Sequence, residues 1–206
     1  MKKILKNALA LTLITVVLGG ILGAVYAITK DPIALQEQKT KEKAYQAVFS
    51  DAASFEEMEI EESGLNAAFD EAIAGIGLTQ EYVNEVATAC DASGSALGYV
   101  ITVTTKEGYG GDIEFTVGIQ NDGTMNGIYF LSIEETAGLG MRANTADFKD
   151  QFVGKNVESI SYSKTGATAD NEIDALSGAT ITSKAVTNGV NAALAAFRTL
   201  QEGGTE

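Results

Sequence analysis

No charged residue occurs from position 8 to position 28, and aliphatic residues dominate that stretch. As a helix it extends about 30 Å, the thickness of a bilayer's hydrocarbon core. Lys2, Lys3 and Lys6 precede it and Asp31 follows it. The positive-inside rule therefore puts residues 1–7 in the cytoplasm and everything after the span outside. Thr29-Lys30 weakens that asymmetry without reversing it. Val25-Tyr26-Ala27 resembles a signal-cleavage site, but the apolar run exceeds the ~7–15 residues of a signal core. The span at 8–28 is read as an uncleaved transmembrane helix. Gly19, Gly20 and Gly23 lie on it, where they permit close packing with another membrane helix or are simply tolerated.

Beyond the span the pattern changes twice. Residues 33–49, rich in Gln, Lys, Glu and Ala, predict a helix with Ala44, Tyr45 and Val48 on one apolar face. Residues 54–64 are acidic and read equally as an edge strand or a solvated connector. Residues 67–74 and 80–89 read as short helical pieces, making 29–90 a helical connector region. The β signal follows at 97–105, 113–119 and 127–133, three β-branched or alternating runs. Turn residues at 106–111 and Asn121-Asp122-Gly123 join them as an antiparallel meander.

A short helix at 144–152 and a short strand at 159–162 come next. The final helix is expected at 184–200, capped by Thr182 or Ser183, with Val186, Val190, Ala193, Leu194 and Phe197 as its buried stripe. The fold class is α+β, a small antiparallel sheet packed with helices behind one transmembrane helix, with residues 91–202 as the extracytoplasmic domain.

Charge and composition narrow the chemistry. A net charge of −14 argues against a nucleic-acid partner. The single cysteine, Cys90, excludes an intramolecular disulfide or a cysteine metal cluster. With no histidine, His-ligated haem, His-containing zinc sites and a Ser-His-Asp triad are all excluded. Redox chemistry here requires an organic cofactor; the sequence offers no metal site and no catalytic residue.

Two motifs carry chemistry. The first is Asp174-Ala175-Leu176-Ser177-Gly178-Ala179-Thr180-Ile181-Thr182, just ahead of the last helix. A helix entrance presents unpaired amides and the positive end of the helix dipole, which favour phosphate. Gly178 and Ala179 let the backbone approach closely and leave the Thr180 hydroxyl accessible. Thr165-Gly166-Ala167-Thr168 repeats the tetrad upstream, but with Tyr162 and Asp170 where the first copy has Asp174 and Thr182. Its loop setting opens no helix, which makes Thr168 a decoy. The second motif, Glu134-Glu135-Thr136-Ala137-Gly138-Leu139-Gly140, follows the third strand and predicts a tight loop with exposed amides and one apolar side chain.

Asp-x-x-Ser-Gly-Ala-Thr-x-Thr resembles the flavinylation motif of the FMN-binding domain family. The 134–140 loop is similar to that family's Glu-Thr-Pro-Gly-Leu-Gly element, with Ala137 in the proline's place. Together with the N-terminal span, the layout resembles the G subunit of the Rnf electron-transport complex. The resemblance implies one covalent FMN, held by a phosphoester to Thr180. Ser177, Gly178, Ala179 and Thr182 would shape the phosphate site, and Glu135, Thr136, Gly138 and Leu139 would lie beside the ring. It implies electron transfer within an ion-pumping ferredoxin:NAD⁺ oxidoreductase, with no complete catalytic site on this chain. The implied partners are the complex's other subunits, the membrane, and a flavin transferase acting on FAD. Alternatives are the C subunit of the Na⁺-translocating NADH:quinone reductase, which shares the domain, and a stand-alone extracytoplasmic flavoprotein. A membrane-tethered, non-redox binding domain is the most distant alternative.

Overall fold

The computed structural model describes residues 2–61 and 63–203. The chain divides into two compact units, with the boundary between Glu42 and Lys43. The first consists of helix α1 (Lys2–Val48) up to that boundary. Sequence pattern predicts a span at 8–28 and a helix at 33–49; the structure joins them in one helix that runs through Pro32. An interior proline removes one backbone hydrogen bond, and here the loss does not end the helix. In the apolar part, Thr12, Thr15 and Thr29 donate their hydroxyls back to the carbonyls of Ala8, Leu11 and Val25 at 2.9–3.0 Å. Polar groups satisfied in this way are compatible with hydrocarbon.

In the second unit, among the described residues, five strands form one antiparallel sheet in chain order. They are β1 (Ser54–Glu57), β2 (Glu81–Cys90), β3 (Ala96–Thr105), β4 (Ile113–Gln120) and β5 (Met125–Ile133). The acidic segment thus supplies an edge strand. The reading of 80–89 as helical is corrected, because that segment is β2. The register of β2 against β3 slips between Val83 and Glu85, a bulge that spaces the core residues Val83 and Val86 three apart. That insertion breaks period-two alternation and imitates helical spacing.

Helices α2 (Leu65–Gly75) and α4 (Thr180–Gly203) pack on one face of the sheet. Phe69 of α2 joins Ile101, Phe115, Val190 and Ala193 in that core. Gly189 brings α4 close to the sheet, since a Cβ there would stand 2.7 Å from the Phe115 ring. The opposite face receives residues 44–49, whose Tyr45, Val48 and Phe49 pack with Ala87, Ala89 and Val100. Two glycines notch the sheet for this segment. A Cβ on Gly118 would lie 2.7 Å from Val48 Cβ, and one on Gly98 would lie 2.8 Å from the Phe49 ring.

After β5 the chain makes a 3-10 turn at Gly140–Asn144, the short helix α3 (Ala146–Lys149) and a second 3-10 turn at Asp150–Phe152. These replace the single helix expected at 144–152. β6 (Ser161–Ser163) and β7 (Glu172–Asp174) form a separate two-stranded parallel sheet, two residues later than the strand expected at 159–162. Helix α4 begins at Thr180, earlier than expected, so Thr182 and Ser183 lie inside its first turn rather than at its cap. Both are buried. Ser183 Oγ accepts the Leu176 amide at 2.9 Å and donates to the Ala179 carbonyl at 3.0 Å, tying the approach segment to the helix.

Candidate functional site

Three segments converge at the start of α4: residues 177–182, the 134–140 loop that leaves β5, and the 106–112 connection between β3 and β4. They enclose a cavity of about 540 Å³. Gly178, Ala179, Thr180 and Thr182 line it from one side, and Glu135, Thr136 and Leu139 from the other. Gly138 and Ser177, the remaining two residues expected at the site, are not among the cavity's lining. Both are exposed beside it. Gly138 has φ +76°, the backbone conformation that turns the loop and that favours glycine.

The loop is closed by the amides of Leu139 and Met141, which donate to the Thr136 carbonyl at 3.1 and 3.2 Å. That turn carries Leu139 over the other motif, where a Cβ on Gly178 would meet Leu139 Cδ2 at 3.2 Å. Gly178 is itself left-handed, with φ +79°. The Ala179 amide donates to the Leu176 carbonyl at 3.0 Å, completing the turn into the helix. Thr180 is the first residue of α4 and half-buried. Its hydroxyl sits where a helix's first amides have no intrahelical partner. A phosphate placed there meets those amides and the positive end of a long helix.

Glu135 organises the opposite wall. Its carboxylate is buried and accepts the amides of Tyr109 at 2.7 Å and Gly110 at 3.4 Å. The second carboxylate oxygen faces Gly140, where an added Cβ would lie 2.5 Å from Glu135 Oε2 and 2.6 Å from Thr182 Oγ1. Glu135 therefore holds the 106–112 connection against the exit of β5, and its charge is turned toward amides. This role follows from tertiary packing alone.

Three lining residues, Tyr109, Gly140 and Ile181, were not anticipated from the sequence. Tyr109 is 70% exposed, and Leu139 and Ile181 are also large apolar residues open to solvent at the rim. An aromatic residue flanked by Gly108, Gly110 and Gly111 in a turn is the signal that marks Tyr109. A turn has no core to bury a ring. Apolar rim residues above a helix entrance suited to phosphate fit a flat heterocycle carrying a phosphate tail.

The upstream tetrad, Thr165 to Thr168, is placed elsewhere. Thr168 lies between β6 and β7, where its amide and hydroxyl both donate to Glu172 Oε2, at 2.9 and 3.2 Å. The Thr168 amide, with that of Ala169 at 3.3 Å, holds the Glu172 carboxyl below its usual range. Asp174 serves the same loop, since its Oδ1 accepts the Ala167 amide and its own amide donates to Gln151 Oε1 at 2.6 Å. Its side chain is thereby committed to the loop between β6 and β7.

Residues 108–195, which contain this whole cavity, match the FMN-binding domain family, and residues 1–48 match the RnfG N-terminal region. The cavity thus lies in the segment that matches an FMN-binding domain, in a chain that carries an apolar helix at its N-terminal end. The chain is 31% identical to the G subunit of the Na⁺-translocating ferredoxin:NAD⁺ oxidoreductase complex of Acetobacterium woodii, covering 98% of this chain and 95% of that protein. It is also 31% identical to the G subunit of the proton-translocating complex of Clostridium ljungdahlii, over 94% and 91% of the two chains. It belongs to the G-subunit family of ion-translocating ferredoxin:NAD⁺ oxidoreductase complexes. Among solved structures it is similar to the C subunit of the Na⁺-translocating NADH-quinone reductase of Parabacteroides distasonis. That match is 25% identical with a TM-score of 0.46, over 62% of this chain and 65% of that one.

Proposed function

We propose that this chain is the membrane-anchored electron-transfer subunit of an ion-translocating ferredoxin:NAD⁺ oxidoreductase complex, and that it carries FMN esterified to Thr180. The observation that carries the reading is the position of the Thr180 hydroxyl. It opens α4 and lines the same cavity as Glu135, Thr136 and Leu139 from the second motif. G-subunit relatives matched over nearly their whole length support the placement in such a complex.

A bound FMN supplies reversible transfer of one or two electrons. The protein's part is to hold it. The first amides of α4 would face the phosphate, Gly178 would leave room beside it, and Tyr109, Leu139 and Ile181 would cover apolar ring surface. Attachment requires a flavin transferase and FAD. In that transfer the Thr180 oxygen would bond to the FMN phosphorus of FAD as AMP leaves, with the hydroxyl proton passing to solvent. Covalency suits a cofactor outside the cytoplasm, where a dissociated flavin is diluted without resupply. In this reading the N-terminus is cytoplasmic and the domain extracytoplasmic, and electrons enter and leave through the complex's other subunits.

Intact mass and in-gel flavin fluorescence of the full chain, co-expressed with a flavin transferase, test the attachment. One FMN adduct is expected in the native chain and in Thr168→Val, and none in Thr180→Val. An adduct that survives in Thr180→Val, or is lost in Thr168→Val, overturns the assignment.

A further inference from the structure

Tyr109 is carried into the cavity by the 106–112 connection, in which Glu107 belongs to neither sequence motif. The Glu107 carboxylate accepts Lys184 Nζ at 2.8 Å through Oε1 and the Asn188 side-chain amide through Oε2. Both donors lie on α4, four and eight residues after Thr180. Steps of four keep residues on one side of a helix, so Thr180, Lys184 and Asn188 share a row. Helical side chains lean toward the N-terminus, which lays the Lys184 stem over the turn that Thr180 opens. One carboxylate thus spans a full turn of the helix beside the cavity.

The connection is tight as well as tied. Its base is fixed by the Lys106 amide, which donates to the Gln80 carbonyl at 2.9 Å, and by the Glu107 amide, which donates to Thr105 Oγ1 at 3.3 Å. An added Cβ would stand 2.1 Å from the Gly111 carbonyl oxygen at Gly108, and 2.0 Å from that of Glu134 at Gly110. Only glycine fits on either side of Tyr109, so the stretch from Glu107 to Gly110 has no slack. Glu135 holds its far end through the Tyr109 and Gly110 amides. The Tyr109 side chain, largely exposed, has little packing of its own and takes its place from this backbone. Glu135 ties the connection to the sheet, and Glu107 ties it to the helix that carries Thr180.

We propose that Glu107 is a positioning residue for the flavin cavity. Through Lys184 and Asn188 it locks the 106–112 connection to the start of α4, and so sets the Tyr109 ring against the isoalloxazine. A phosphoester at Thr180 fixes only the phosphate end of FMN. The ribityl chain beyond it rotates, so the ring needs a wall held in constant relation to Thr180, supported by residues behind that wall. The stacking rests on the FMN reading given above; the lock does not. The Lys184 and Glu107 side chains are 51% and 23% exposed, so solvent screens the pair and its effect is modest.

The test has one arm without flavin and one with it. In the full chain in detergent, made without a flavin transferase, exchange of the Tyr109 and Gly110 amides should quicken roughly fivefold in Glu107→Ala, near the upper limit for a partly exposed pair. Glu107→Lys alone should quicken it too. Adding Lys184→Glu to that variant should restore the native rate, because the Asn188 amide can turn its oxygen to the new lysine. In the second arm the chain is co-expressed with a transferase, and intact mass fixes the FMN content. A tyrosine against the isoalloxazine quenches flavin emission by transient electron transfer to the excited ring, which phenylalanine does not do. Emission per FMN should therefore rise in Tyr109→Phe, rise less in Glu107→Ala, and return to the native level in the charge-exchanged pair. Native exchange rates or native emission in Glu107→Ala, or no recovery in the exchanged pair, overturn the lock. Unchanged emission in Tyr109→Phe overturns the stacking. An absent FMN adduct overturns the FMN reading and the stacking with it, and leaves the exchange arm to decide the lock.

Discussion

At the scale of single residues, the two threonines that follow Gly-Ala are separated by their surroundings. Thr180 opens a helix and a cavity, whereas Thr168 is bonded to Glu172 in a closed loop. Gly178 and Gly140 set the space around Thr180. Gly178→Ala puts a side chain at φ +79°, which costs about 1–2 kcal/mol. Its methyl also presses on Leu139, so a lower melting temperature with reduced flavin loading is expected. Gly140→Ala is the harsher change, because the methyl meets Glu135 Oε2 and Thr182 Oγ1, both on buried residues. Overpacking of this kind costs about 1–3 kcal/mol. A melting curve indistinguishable from the native one would contradict the packing described around Gly140. The place of Thr180 at the approach to a helix was legible in the sequence, because small residues ahead of a helical stripe are a local pattern. The carboxylate of Glu135 on the Tyr109 amide was not, because it joins residues that only the folded sheet brings together.

Elements show the same division. Strands β3, β4 and β5 announce themselves by β-branched runs and by the Asn121-Asp122-Gly123 turn, where Asp122 Oδ1 accepts the Thr124 amide at 2.9 Å. β2 hid behind its bulge. α4 was legible along its apolar stripe but not at its start, since Thr182 and Ser183 look like caps and instead serve as buried first-turn residues. The segment 44–49 showed an apolar face without showing what it covers. In the structure Tyr45 donates to Glu85 Oε1 of β2 at 2.6 Å. Burial, then the Glu85 hydrogen bond and charge, raises the Tyr45 phenol far above its usual value. It therefore remains a donor throughout the physiological range, and its contribution disappears only at extreme alkalinity. Tyr45→Phe should cost about 1.5–3 kcal/mol, the worth of a hydrogen bond to a charged group. Denaturant unfolding measures that loss, and a difference near zero would show that the bond does not support the fold.

For the whole molecule, orientation is the open prediction. Among the described residues, one helix is long and apolar enough to cross a membrane, with lysines at its N-terminal end. The native Cys90 is buried, so an introduced cysteine can report sidedness against a low background. Ser93→Cys, in the exposed β2–β3 turn, should react with a membrane-impermeant maleimide added to intact cells. Lys3→Cys should react only after the cells are opened. The reverse pattern would place the domain in the cytoplasm and remove the argument for a tethered cofactor. Neither orientation nor partners follow from the folded domain, because surface charge and helix length constrain them only collectively.

The glycine notch at Gly98 and Gly118 determines where this protein can be severed. Residues 44–49 fill that notch and complete a face of the sheet. Scission after Ala27, the site that resembles a signal cleavage point, would keep the plug on the liberated side. Scission a few residues past Phe49 would strip it away and leave Ala87, Ala89 and Val100 facing water. Limited proteolysis should therefore trim the N-terminal arm and stall before Lys43. The smallest self-sufficient fragment begins inside α1, so the last turns of that helix are inherited by the domain rather than by the anchor.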